Sequence, residues 1–435
     1  MNKRLGALPD PRNPKVPEDV TYSVASLVFL GVLMFACGLR ARRQVRWRLF
    51  TTCLVDLYHV LFDVKSVPHG DTMNGVVCGL PFEAVQDLVC GMAETLVDKK
   101  VLYPHRLFAH YYVLAVDATG VLVYPERHCP YCLTRTHHNG ITTYYHPVLE
   151  AKIVAPTGLV VSVMSEFIEN PEDDPTRSEQ ERKQDCELKA FYRLAPRLKA
   201  RFPRLPLLLA MDGLYAVGPV FALCREHNWK FTCTLSDEQL RSVNEEFESL
   251  APLCPANRLT WHTGRDGEVG QQFRWVNDIV YVDSRDEEHT VSVVECRDTR
   301  CDAEGQEHTT KFKWVTNVRV DAHHVVALCN EGGRLRWKIE NQGFNVQKHG
   351  GYELEHAYTH DENGMKIYYL LLQIAHLVMQ LFERGNLLAR VFPRGLGAMK
   401  NLGWRLLEAL RHETLTHAEY DDLCTQACQI RFDTS

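Results

Sequence analysis

Two apolar runs constrain this chain more than any other feature. FAHYYVLAVDATG (108–120) and LPLLLAMDGLYA (205–216) are blocks of consecutive apolar residues, closed by Asp117 and Asp212 and then by a small residue. A short, nearly continuous apolar run is a strand buried on both faces, and such strands belong to sheets with helices packed on either side. A carboxylate at the end of such a strand is presented at the rim of the sheet, where ligands of open α/β folds bind. A third acidic residue, Glu340, lies in the basic, aromatic-flanked run RLRWKIENQGFNVQKHGGYELEH (334–356). On a helix Arg336 and Glu340 share a face, as an ordinary ion pair or as a carboxylate ringed by the phosphate-seeking cations Arg334, Arg336, Lys338 and Lys348.

The rest of the chain divides by periodicity. Residues 1–20 are polar and Pro-rich and are expected to be an unstructured lead-in. Residues 21–106 read as helices, a small domain whose Arg40, Arg42, Arg43, Arg46 and Arg48 form either a DNA-facing cluster or a solvated face. The break VPHGDT (67–72) is a turn, with Asp71 or Thr72 as the expected cap of the next helix. Residues 107–235 alternate strands and helices, with YYVLAVDA and VLVY as separate strands and an acidic loop (169–187) before the helix ELKAFYRLAPRLKARF. Between 236 and 325 the period falls to 2, predicting an inserted β-rich lobe. From 326 to 390 the chain is helical and carries Glu340, and residues 391–435 form a helical tail. Together these predict an α/β fold in which a mixed sheet carries helices on both faces.

The chain has 435 residues, 45% of them hydrophobic, enough for a sizeable core, and a formal net charge of -6. Nucleic-acid binding therefore rests on local cationic clusters, such as that near Arg43 or the one between Arg182 and Arg204. The fifteen cysteines follow no extracellular spacing and no secretory signal is recognisable, which points to a reducing cytoplasm. The apolar stretch 21–39 holds only about a dozen strongly apolar residues, short of the roughly 20 that span a bilayer, so it reads as a buried helix and no membrane partner is expected.

A second site is suggested by HCPYC (128–132), where Cys129 and Cys132 stand at metal-ligand spacing beside His128, with His137, His138 and His146 following. Structural zinc needs four ligands, two of which would be His here. A redox pair and ordinary buried cysteines are the other readings.

Taken together, VLAVDATG, HCPYC, AMDGLYA, KFKWVTNV and RWKIENQGFNVQKHGGYELEHAYTH resemble the DDE transposases of bacterial insertion sequences, in particular the IS4 superfamily, over at least residues 107–360. The resemblance implies a ribonuclease-H-like fold with a β-rich insertion before the catalytic Glu and an N-terminal DNA-binding domain. It implies that Asp117, Asp212 and Glu340 are the catalytic triad and hold two Mg²⁺ ions, with Mn²⁺ as a substitute, and that the enzyme cuts element ends and joins 3' hydroxyls to target DNA. The implied partners are duplex DNA at inverted-repeat ends, target DNA and a second copy of the chain. The family's Tyr-Arg-Glu-Lys signature is matched at Arg336 and Glu340; its Tyr position falls on Gly333 and its Lys position on Gln347, with Lys348 one further on. Arg336, Lys348, Arg334 and Lys338 are expected on DNA phosphates, and Trp314, with Trp275 as a weaker choice, on a flipped base, a core side chain of the β-rich lobe being the other reading of Trp314. A nuclease of the same fold, a domesticated DNA-binding protein and a generic α/β enzyme with a CxxC metal site are the competing readings.

Overall fold

In the computed structural model, residues 2–12, 20–170, 184–264, 268–302, 304–388, 392, 395, 397–426 and 429–432 are described. The middle of the acidic loop, and with it Arg182, lies outside them.

The protein is a mixed α/β fold built on one ten-stranded sheet flanked by helices. Its first strands are β1 (Tyr112–Tyr124), β2 (Leu133–Thr136), β3 (Thr142–Val154), β4 (Val160–Phe167), β5 (Leu207–Met211) and β6 (Lys230–Thr234). VLVY is not a separate strand: β1 runs through it, with a register shift between Gly120 and Leu122 that absorbs the irregularity. β1 pairs antiparallel with β3 and parallel with β5, which in turn pairs parallel with β6. β4 lies antiparallel to β3, and β2 pairs with the start of β3.

The alternating runs of the β-rich segment form β7 (Arg258–Thr263), β8 (Val269–Val282), β9 (Glu288–Cys301) and β10 (Glu307–Thr316), all antiparallel. They do not stand off as a lobe. β10 pairs with β6 through Trp314 and Thr234, so the meander extends the central sheet. The physical reason is that β6 would otherwise be an open edge, whose unpaired amides and carbonyls β10 satisfies.

Of the helices, α1 (Asn2–Leu5) is a single turn that buries Leu5 inside the expected lead-in. α2 (Val24–Ala36), α3 (Arg43–Leu49), α4 (Thr52–Phe62), α5 (Gly70–Val77) and α6 (Phe82–Asp98) follow. α5 is capped by the His69 ring, which accepts from the Asp71 amide, so neither Asp71 nor Thr72 is the cap. α7 (Glu187–Arg201), α8 (Gly218–Glu226) and α9 (Arg241–Leu250) lie between β4 and β7. After the sheet come α10 (Val325–Ala327), α11 (Asn345–His349), α12 (Glu362–Arg384), α13 (Met399–His412) and α14 (His417–Thr425).

Alternation along the two central parallel strands assigns their faces. Leu114, Val116, Leu209 and Met211 pack with α7 and α8, whereas Val113, Ala115, Leu208 and Ala210 pack under the helical segment 325–349. α2 is 13 residues long, and every residue but Ala25 and Phe29 is buried. It lies against α12, and a side chain at Gly31 would meet Leu371 Cδ1 at 2.6 Å, so glycine permits that close approach. α12 is itself long and apolar enough to cross a membrane, but most of it is buried in this core.

One buried polar network ties these layers together. Lys152 on β3 pairs with Glu150 at 3.1 Å and donates to Gln373 on α12 at 2.5 Å; both charges are essentially inaccessible. Glu150 accepts from Ser162 at 2.8 Å and from Ser165, both on β4. Gln347 on α11 donates to the same Gln373 oxygen at 2.8 Å. Removing one member of a buried pair strands the other charge at a cost of about 3–5 kcal/mol, while apolar replacement of both is nearly neutral. Glu150→Ala is therefore expected to destabilise the protein by about 3–5 kcal/mol in urea unfolding, and Glu150→Leu combined with Lys152→Met to recover most of it; a double variant as weak as the single one would contradict this account.

Candidate functional site

The strand register brings the two aspartates together. Ala115 pairs with Ala210, so Asp117 and Asp212, each two residues further on, occupy the same level and face of adjacent parallel strands. Such strands lie about 4.8 Å apart. Asp117 Oδ1 accepts from the Ala118 amide at 3.0 Å, and Asp212 caps the turn Gly213–Tyr215 by accepting from the Leu214 amide at 2.9 Å.

The third acidic residue arrives from the covering helical segment. It begins with α10, widens into a π turn at Leu328–Gly333, tightens at Arg334–Arg336, widens again at Ile339–Phe344 and ends as α11. Ile339 and Phe344 are buried against the sheet, which holds Glu340 between them at its partly exposed position. π turns inside helices frequently mark functional sites.

Electrostatics show that the groups sense one another. Burial pushes the Asp117 carboxyl up to about 6; the Arg336 guanidinium opposes this, and the charges of Asp212 and Glu340 add to it. Arg336 Nη1 reaches Asp117 Oδ2 at 2.9 Å, with both side chains largely shielded. A fourth carboxyl joins them. Glu187, in the first turn of α7, is pushed up to about 7 by burial and by the charges of Asp117 and Asp212. Nothing local in the sequence marks Glu187 among the acidic residues of 169–187. Only the docking of α7 against the strand ends selects it.

These are hard oxygen donors suited to Mg²⁺, and a guanidinium already serves as the cation beside Asp117. The oxygens of Asp117, Asp212 and Glu340 are set more widely than two tighter groups whose ligand atoms lie within 4.8 Å of one another. One of these is Asp283, Glu287 and His289 at the β8–β9 turn. There Asp283 accepts from the Arg285 and Glu287 amides at 2.8 and 3.1 Å and pairs with Arg285 at 3.0 Å, which makes it a stapled turn. The other is Cys129, Cys132 and His146, all buried.

The expected DNA-contacting residues separate into two sets. Trp314 does not present its ring: it is buried in the core of the sheet, stacked on Phe312, and its indole occupies the space beside Gly333, where a Cβ would lie 2.5 Å from Nε1. The same packing explains why no Tyr stands at 333. Trp275 is buried as well. Arg334 is committed to Asp298 through two hydrogen bonds of 2.8 and 2.9 Å and stacks over Phe312. Gln347 is fully buried in the polar network, so the position has become structural. Lys348 pairs with Glu355 at 3.1 Å.

Lys338 remains partly exposed, and beside it Trp337 shows about half of its surface. In the arginine cluster Arg43, Arg46 and Arg48 are exposed on α3 around an 80% exposed Trp47, whereas Arg40 and Arg42 pair with Glu353 and Asp71.

The raised Glu187 carboxyl has a consequence for stability. Its native pKa exceeds the unfolded one, so between about pH 4.5 and about 7 the native state binds more protons, and stability falls as pH rises through that window. Glu187→Gln is expected to gain about 1–3 kcal/mol at about pH 8 and nothing at about pH 4 in urea unfolding. An equal gain at both pH values would show that the carboxyl is not strained by ionisation.

No family model matches the chain, and a search of curated proteins finds no match either.

Proposed function

We propose that this protein is a DDE-type transposase, resembling those of the IS4 superfamily, which cuts DNA at the ends of an insertion sequence and joins the 3' hydroxyls to target DNA. The observation that carries the reading is the approach of Asp117, Asp212 and Glu340, from three distant parts of the chain, on one sheet face at the strand ends. A ribonuclease-H-like topology belongs to the same reading. The order β4-β3-β1-β5-β6, antiparallel up to β1 and parallel beyond it, agrees with it.

The three carboxylates are the groups that would hold a pair of Mg²⁺ ions, whose chemistry when bound is to activate the attacking oxygen and to stabilise the leaving one. The protein's own part is positioning and charge. Asp117, raised by burial and by the charges of Asp212 and Glu340, would bind a metal ion in its deprotonated form, and Arg336 would contact a phosphate flanking the scissile bond without reading bases. Lys338 and Trp337 stand one turn or less before Glu340, on the same approach. The exposed arginines of α3 offer a second stretch of duplex a place to lie. The working unit in this reading is a homodimer holding two inverted-repeat ends in the cytoplasm.

A labelled duplex carrying the element's end, incubated with protein in Mg²⁺ or Ca²⁺, tests the proposal. Nicking at the element's end is expected in Mg²⁺, and Asp117→Ala, Asp212→Ala and Glu340→Ala are each expected to lower it by more than about 100-fold with folding and end binding kept. Mg²⁺-dependent nicking at full rate in any of the three rules the triad out. The burial of Trp314 favours one second reading, a nuclease of the same fold that flips no base. Cleavage without joined products when target DNA is supplied would select it.

A further inference from the structure

A buried convergence of metal-ligating atoms lies away from the carboxylates. Cys129 Sγ and Cys132 Sγ are 3.4 Å apart, and His146 Nε2 is 3.3 Å from the first and 3.1 Å from the second. Zinc bonds of about 2.3 Å to sulfur and about 2.0 Å to nitrogen set tetrahedral ligand atoms roughly 3.5–3.8 Å apart. The observed spacings fall a few tenths of an ångström inside that range, a difference that small side-chain rotations close.

The three ligands come from two elements. Cys129 and Cys132 belong to the connection between β1 and β2, and His146 to β3, whose Tyr145 and Tyr144 pair with Leu133 and Thr134 of β2. Cysteine is at home in a core as a small apolar side chain, but two thiols and an imidazole packed with their polar atoms facing one another satisfy no apolar need. We propose that Cys129, Cys132 and His146 form a structural zinc site that clamps the β1–β2 connection onto β3. The fourth position falls to His128, the imidazole adjoining Cys129, or to water.

What the clamp holds is visible in the hydrogen bonds around it. Asn170 Nδ2 donates to the Cys132 carbonyl at 2.9 Å, and the Asn170 amide donates to the Tyr131 carbonyl at 3.0 Å. Gln184 Oε1 accepts from the Thr134 amide at 2.8 Å, and Asn170 Oδ1 accepts from the Asp185 amide at 3.1 Å. The zinc-bearing connection therefore anchors the end of β4 and the start of α7, two residues before Glu187. Its role is to fix where α7 begins.

The test is metal content and metal spectroscopy on the full-length protein. Protein produced in zinc-supplemented medium should carry about one zinc per chain after gel filtration, and Cys129→Ser, Cys132→Ser and His146→Gln should each lower this at least about tenfold. Since a variant that fails to fold would also lose zinc, the chelator-treated wild type is titrated with Co²⁺. Thiolate-to-cobalt charge transfer together with the visible bands of a tetrahedral ion is the expected signature, reversed by zinc. Wild-type protein that holds no zinc and develops no cobalt–thiolate band overturns the proposal. So does a Cys129–Cys132 disulfide recovered from protein handled under reducing conditions, or zinc content left unchanged in all three variants.

Discussion

The parallel pairing of β1 with β5 is the constraint on which the candidate site depends. Because Ala115 lies opposite Ala210, two carboxylates end up side by side at the mouth of the sheet, and neither can turn to the other face without a one-residue slip that would turn every apolar side chain of a strand the wrong way. The apolar runs that form these strands fix the register, and the register imposes the clustering of like charge. Folding thus places electrostatic strain where the strands end. Arg336 offsets part of it, and burial together with the remaining like charge raises the Asp117 and Glu187 carboxyls.

That strain persists only because the surrounding frame is stiff. The segment bearing Glu340 is pinned at one end by Leu328, Leu335 and Ile339 on the sheet and at the other by Gln347 in the buried network with Gln373 and Lys152. Burying Lys152 lowers its affinity for a proton, and Glu150 offsets part of that, so the pair is tolerated because each partner is hydrogen-bonded from several sides. The same network reaches β3, β4 and α12. The sheet, the covering helix and the long core helix therefore share one set of polar contacts, and the N-terminal helices join them through α2 on α12 and through α6 on α12 and β4.

Much of this was legible in the sequence, and particular residues show why. Asp117 and Asp212 were readable because a run of apolar residues ending in an acid has few places to go in a folded chain. The helix around Glu340 was readable from the placement of its cations and aromatics. For Trp314 a base-stacking ring and a core side chain both stood open, since an aromatic residue in an alternating strand belongs to either face until the partner strands are known; here β6 and the covering segment bury it. Arg334 was assigned to a phosphate, and Gln347 noted as standing at the family's Lys position, by spacing alone, whereas Asp298 and Gln373, far off in sequence, engage them. Glu187 carried no local sign at all.

By itself, then, the sequence determined the element types, the mixed α/β class and the acidic residues at strand ends, because burial and periodicity act over a few residues and leave their mark in the pattern. Tertiary structure alone decided which of the many charged side chains meet. It joined the β-rich segment to the main sheet through β6 and β10, brought Glu187 to Asp117 and Asp212, and drew His146 to the two cysteines. Each of these is a pairing between distant residues, and a pairing of that kind has no energy until the chain has folded to bring the partners within reach.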